Sequence, residues 1–160
     1  MDDKIKNIKQ IEEIVKNSRE QGKTIATTNG SFDILHLAHI HLLRKAKKEG
    51  DILIVLLNSD ESIRRNKGKD RPIISQNERA EIISALESVD YVVIFDEDTP
   101  LALLEKIKPH MHIKGGSFDS VRMKEEKEFI SSWKGEYKNF ELEEGLSTTN
   151  IIERILKRNK

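Results

Sequence analysis

Lys23-Thr24-Ile25-Ala26-Thr27-Thr28-Asn29-Gly30-Ser31-Phe32-Asp33-Ile34-Leu35-His36-Leu37-Ala38-His39 contains the repeating step of the fold. The β-branched run from Lys23 to Thr28 reads as a strand. It enters a glycine turn, and the apolar-periodic segment from His36 to Lys48, stopped by Gly50, reads as a crossover helix. Two histidines three residues apart share one face of its first turn. Unpaired backbone N–H groups and the helix dipole already favour an anion there. The spacing therefore predicts a phosphate site.

The same alternation continues along the chain. Ile5, Ile8, Ile11 and Val15 recur at helical spacing, predicting an amphipathic leading helix over residues 3–20, within a leading segment 1–22 that ends at Gln21-Gly22. Asp51 to Leu57 is a continuous apolar run, as expected of a strand covered on both faces. Residues 58–71 are polar and cationic and read as a short helix plus a mobile loop. Ser75-Gln76-Asn77-Glu78 is a capping box opening a helix through Leu86. Further strands are expected at 91–95, 111–114 and 137–142. Further helices are expected from Thr99-Pro100 to Pro109, with proline at the first position, over 121–134, and over 147–157.

Strands alternating with helices predict an α/β fold: a single Rossmann-like, doubly wound, parallel five-stranded sheet spanning residues 1–160 as one domain. Every unusual loop follows a strand, so residues 28–36, 58–71, 114–118 and 143–149 should gather at one sheet edge. That is where such sheets bind ligands.

Composition narrows the classes. Basic and acidic residues balance at 28 each, so no broad nucleic-acid or membrane-binding field is expected. Without cysteine there is no disulfide frame, thiolate metal site or cysteine nucleophile. The charged start and the shortness of the longest apolar run predict a cytoplasmic protein with no membrane insertion.

Neither G-x-x-x-x-G-K-[ST] nor G-x-G-x-x-G occurs. What remains is G-x-F-D-x-x-H-x-x-H leading into a helix. Asp33 is a magnesium ligand or a brace for His36. His41 lies about 200° around the helix from His39, so the three histidines do not form a metal triad. His110 and His112, at a strand start, have a structural role as the default. Lys114 ends a strand ahead of Gly115 and Gly116, whose missing side chains let backbone N–H groups approach a ligand. Ser147, Thr148 and Thr149 open the last helix, with Ser147 as its cap and three hydroxyls suited to a phosphate or ribose.

These motifs resemble the H-x-G-H nucleotidyltransferase (cytidylyltransferase-like) superfamily. Thr28 to His36, Asn58-Ser59-Asp60, Arg71-Pro72, Glu78-Arg79, Val89 to Tyr91, Glu97 to Pro100, Lys114 to Gly116 and Ser147 to Ile151 resemble its heptose-1-phosphate adenylyltransferase branch. The resemblance implies adenylyl transfer from ATP to a sugar phosphate, with Mg²⁺ bound mainly through the ATP phosphates and no dedicated protein ligands for it. It implies that His36, His39 and Lys67 are catalytic, Lys67 from a flap over the triphosphate. Asn29, Gly30, Ser31, Phe32 and Ala38 would meet the nucleotide, together with Lys114 to Gly116 and Ser147 to Thr149. Asp33, Arg71 and Arg79 would meet substrate, Arg79 by clamping a phosphate.

Relatives of that branch are often homodimers, and Ile5, Ile8 and Ile11 suit either an interface or packing on the chain's own sheet. The branch also occurs fused to a sugar kinase, for which this chain has no room. Two positions depart from the pattern. Ala38 replaces the glycine between the histidines, where a methyl crowds a ribose or base. Ser117-Phe118 replaces Asp-Tyr. A cytidylyltransferase acting on glycerol 3-phosphate is the alternative within the fold, although Leu142-Glu143-Glu144 lacks the arginine expected there. A nucleotide-binding regulator without turnover is the alternative outside enzymology.

Overall fold

In the structure, a computed structural model, residues 3–116, 121–141 and 145–158 are described. Strands β1 (Ile25–Gly30), β2 (Ile52–Asn58), β3 (Tyr91–Phe95), β4 (Met111–Gly115) and β5 (Glu136–Phe140) form one parallel sheet in the order β3-β2-β1-β4-β5. The helices are α1 (Ile8–Glu20), α2 (Leu37–Lys47), α3 (Asp60–Lys67), α4 (Gln76–Ser84), α5 (Leu101–Ile107), α6 (Val121–Ser131) and α7 (Thr148–Arg158). This is the Rossmann-like architecture expected. Strand order reverses between β1 and β4, which puts the ligand crevice at their carboxyl ends.

The layering follows from β2. Leu53, Val55 and Leu57 join one core with Leu42, Leu43 and Ala46 of α2 and Ala80 and Ile83 of α4. Ile52, Ile54 and Leu56 join the other, with Ile11 and Val15 of α1, Leu103, Leu104 and Ile107 of α5, and Ile130 of α6. Both alternating sets are buried, so the strand has no polar face. Each such side chain contributes about 1.5–3 kcal/mol, giving the crevice a stiff floor. No helix among the described residues is long and apolar enough to cross a membrane.

Most helix ends fall where their caps place them, Ser75 and Glu78 forming the expected capping box. Several boundaries differ: α4 stops at Ser84 rather than Leu86, α6 at Ser131 rather than 134, and β5 runs from Glu136 to Phe140 rather than over 137–142. The leading helix begins at Ile8, because Asn7 and Gln10 form a capping box there. The preceding Ile5 bridges Val92, and Lys6 N–H donates to Val92 O. Pro100 is the N-cap of α5 rather than its first residue. Lys67 is the last residue of α3, not part of a loop, since Ser59 caps a helix running that far. Ile11 is fully buried, while Ile5 and Ile8 pack against the two cores. Ile11 is thus taken up inside the chain, while Ile5 and Ile8 are partly buried on its own sheet layers.

Candidate active site

A cavity of about 420 Å³ opens at the reversal point of the sheet. The end of β1 and its loop form the floor, from Asn29 to Asp33. His36, His39 and Leu42 of the α2 segment form one wall. Leu146, Ser147, Thr148 and Thr149 form another, with Lys67, Arg71 and Gly115 completing the rim. Sequence reading missed Leu42 and Leu146. Leu42 was accessible, because it lies three residues beyond His39 on the same helix face.

His36 is the N-cap of α2, but its side chain makes no capping hydrogen bond. The first-turn amides of α2 are therefore left for another acceptor. The His36 and His39 rings stack with centroids 3.8 Å apart and planes inclined by 27°, and Phe32 lies 5.0 Å from His39. Gly30 permits this packing: a Cβ there would come within 3.0 Å of the Phe32 ring.

Burial pushes both imidazoles toward the neutral form. Desolvation takes His39 down to about 3, with the charges of His36 and Lys67 adding to it. Desolvation alone lowers His36. The Nδ1 atoms of both rings are shielded and have no hydrogen-bond partner among the described residues. A neutral ring carries one proton. Buried N–H groups are left orphaned more rarely than buried acceptors, which places that proton on Nε2. The pair thus presents two N–H donors beside the open end of α2, an arrangement that receives an oxyanion.

Two cations line the crevice and a third stands close by, in different states. Lys67 stands in the concave mouth, reached by water yet surrounded by protein. Desolvation, then Arg71, holds its ammonium below the ordinary lysine value. Arg71 donates from Nε to Asp33 Oδ2 at 2.8 Å. Lys114 lies behind the cavity, with Nζ 3.0 Å from Asn29 Oδ1 and 3.6 Å from Glu126 Oε1.

Several expected ligand contacts are taken up inside the protein. Arg79 has no exposed surface. Its Nε donates to Ile74 O, Nη1 to Ser31 O and Asn58 O, and Nη2 to Asp60 Oδ1. It ties the floor loops together and does not line the cavity. Asp33 accepts from the backbone N–H groups of Ile73 and Ile74 as well as from Arg71. These bonds outweigh desolvation and hold its carboxyl below the usual range. They also pin the loop after α3, which sequence reading left mobile. Among the described residues, no group of three or more His, Asp or Glu side chains converges to hold a metal.

Gly116 N–H is taken by Phe140 O. Ser147 Oγ accepts from Asn150 N–H, capping α7 as expected, and Thr148 donates to Ile34 O. Ala38 is buried and does not line the cavity, so its methyl does not stand in the crevice. Ser117, Phe118 and residues 142–144 lie outside the described residues.

A profile of the family described as Cytidylyltransferase-like matches residues 27–154. The bifunctional protein HldE of Geotalea uraniireducens is 49% identical over 154 residues, covering 96% of this chain and 31% of that protein. The HldE of Geobacter sulfurreducens is 48% identical over 158 residues, covering 98% and 32%. The chain thus spans about a third of the length of the curated relatives it matches. Among solved structures, the lipopolysaccharide core biosynthesis protein from Thermoplasma volcanium GSS1 is 34% identical. It is matched over 98% of its length and 76% of this chain, with a TM-score of 0.62. A pantoate-beta-alanine ligase from Francisella tularensis, 20% identical with a TM-score of 0.63, shares the fold.

Proposed function

The chain belongs to the cytidylyltransferase-like family, and on that premise we propose that it is a nucleotidyltransferase moving AMP from ATP to a sugar 1-phosphate. The whole of residues 1–160 acts as one catalytic domain in this reading. The observation that carries it is the stacked His36–His39 pair beside the uncapped end of α2, at the crevice where the sheet reverses. The acceptor assigned is D-glycero-D-manno-heptose 1-phosphate. The heptose-branch motifs support it, as does a solved relative named for lipopolysaccharide core biosynthesis.

An oxygen of the sugar phosphate attacks the α-phosphorus of ATP in line. The bond to the bridging oxygen breaks, and pyrophosphate leaves. The attacking phosphate is already anionic near pH 7, so no general base is needed. Catalysis then consists of bringing two anions together and meeting the charge that develops between them. His36 and His39 donate from Nε2 to the α-phosphate, helped by the first amides of α2. Lys67 and Arg71 meet the triphosphate from the rim. Arriving negative charge also favours the imidazolium form, so the pair gains donor strength as substrate binds. The one carboxylate in the cavity lining among the described residues, Asp33, is engaged by Arg71 and two amides. That fits a cation carried by the nucleotide's phosphates: Mg²⁺, when bound, supplies positive charge to their β,γ side. A cytoplasmic setting, where ATP is at hand, belongs to the same reading.

The test is to incubate the purified protein with ATP, CTP or GTP and a panel of sugar phosphates and to measure pyrophosphate. Release with ATP and the heptose 1-phosphate is expected. Release only with CTP and glycerol 3-phosphate would make it a cytidylyltransferase, and ATP binding without release for any acceptor would make it a regulator.

A further inference from the structure

Beneath the Asn29 floor runs a buried chain of polar side chains that the reaction as described does not use. Thr27 of β1 pairs in register with His112 of β4, whose ring is fully buried. His112 Nδ1 lies 2.7 Å from Thr27 Oγ1, and Nε2 lies 3.2 Å from Asn29 Oδ1. Lys114 Nζ reaches the same Asn29 oxygen at 3.0 Å. Behind it stands Glu126 of α6, only 2% exposed, with Oε1 3.6 Å from Lys114 Nζ. Tyr137 OH donates to Glu126 Oε2 at 3.4 Å.

One ammonium fixes every proton in this chain. Lys114 can only donate, so the Asn29 atom facing it is the oxygen. His112 Nε2 faces that same oxygen and must therefore carry the ring's proton. Desolvation holds His112 neutral, so its Nδ1 is left as an acceptor for the Thr27 hydroxyl. The opposite amide orientation would set an N–H₂ group against an ammonium. With the oxygen doubly held, Asn29 Nδ2 keeps two donors that have no partner among the described residues, on a side chain that lines the cavity. Desolvation lowers Lys114 below the ordinary lysine value, and the Glu126 carboxylate beside it offsets part of that loss in favour of the ammonium.

We propose that His112 and Glu126 are positioning residues that act through Lys114 to lock the Asn29 amide with its N–H donors toward the cavity, where they recognise an acceptor oxygen of the bound nucleotide. This rests on the reading of the cavity as a nucleotide site. The default structural role of His112 is thereby replaced by one that sets ligand affinity.

Two measurements test it. Long-range ¹H–¹⁵N NMR of the unliganded protein is expected to show His112 as the Nε2–H tautomer, unchanged from pH 5 to pH 8. An Nδ1–H tautomer, or titration in that range, overturns the proposal whatever the enzyme does. Kinetically, His112→Leu and Glu126→Gln are each expected to raise the nucleotide KM about tenfold and leave kcat within about twofold, one hydrogen bond's worth of binding lost from ground and transition states alike. His112→Gln, which retains a donor toward Asn29, should recover most of that loss. A lowered melting temperature with KM unchanged overturns the proposal in favour of a purely structural role. If the wild type releases no pyrophosphate, the same ratios are read from ATP binding by calorimetry. An Nε2–H tautomer in an inactive protein that binds ATP would sink the enzymatic reading and leave this one standing.

Discussion

Two sets of buried polar groups meet at the carboxyl edge of this sheet, and the protein treats them oppositely. Around Arg79, Ser31 O, Asn58 O, Ile74 O and the Asp60 carboxylate receive donors from one guanidinium. A few residues away, His36 Nδ1, His39 Nδ1 and Thr28 Oγ1 are shielded from water and have no partner among the described residues. Satisfied groups are architecture, because they hold loops at fixed separations. Unsatisfied ones carry a desolvation cost of about 1–3 kcal/mol each. A protein keeps such a cost where the same geometry serves a ligand.

The contrast can be broken from either side. Arg79→Met should have the largest effect, a loss of about 3–5 kcal/mol in urea unfolding, because it strands Asp60 and three carbonyls. Unchanged stability would remove Arg79 from the frame. His36→Ala and His39→Ala should do the reverse. Turnover should fall about 10²–10³-fold, as for loss of a preorganised donor, with the urea midpoint nearly unmoved. Near-wild-type turnover in either variant would take that ring out of the chemistry.

Acid should expose the same division more gently. The folded protein keeps His39 and His112 neutral down to about 3, whereas unfolded histidine takes its proton near 6.5. The unfolded chain therefore binds more protons across that window, and stability falls as pH drops through it. Asp33, with its depressed pKa, adds to the loss only below its unfolded value of 3.8. Unfolding midpoints at pH 7 and pH 5 should differ, and His112→Leu should narrow the gap. A pH-independent midpoint would contradict the buried neutral rings. The smallest effect belongs to Ser147→Ala, which removes the α7 cap at a cost of about 1 kcal/mol, readable as a small drop in melting temperature.

Much of this was legible in the chain. The alternation of apolar runs and amphipathic segments carried the sheet, and the G-x-F-D-x-x-H-x-x-H stretch carried the place of the crevice. Charge type did not reveal direction. Arg79 looked like a phosphate clamp because the family resemblance favoured that over pairing with Glu78 or Glu81. Its partners are Asp60, Asn58 and Ser31, residues that only the tertiary fold brings beside it. Asp33 lines the cavity, yet the amides forty residues on that take up its acceptor capacity left no local sign in the sequence. Lys67 was read as part of a charge-rich flap, although α3, capped by Ser59, runs as far as that residue. Ile5 matched a helical period, yet its backbone bridges the edge strand β3. His112 gave no local signal at all, since its role is set by an ammonium two residues on and an amide on the neighbouring strand.

The most direct test of the central claim is a structure of the protein with a non-hydrolysable ATP analogue. The account predicts the α-phosphate within about 3 Å of Nε2 on both His36 and His39, at hydrogen-bonding distance. A nucleotide bound elsewhere, with neither Nε2 within hydrogen-bonding reach of a phosphate, would contradict it.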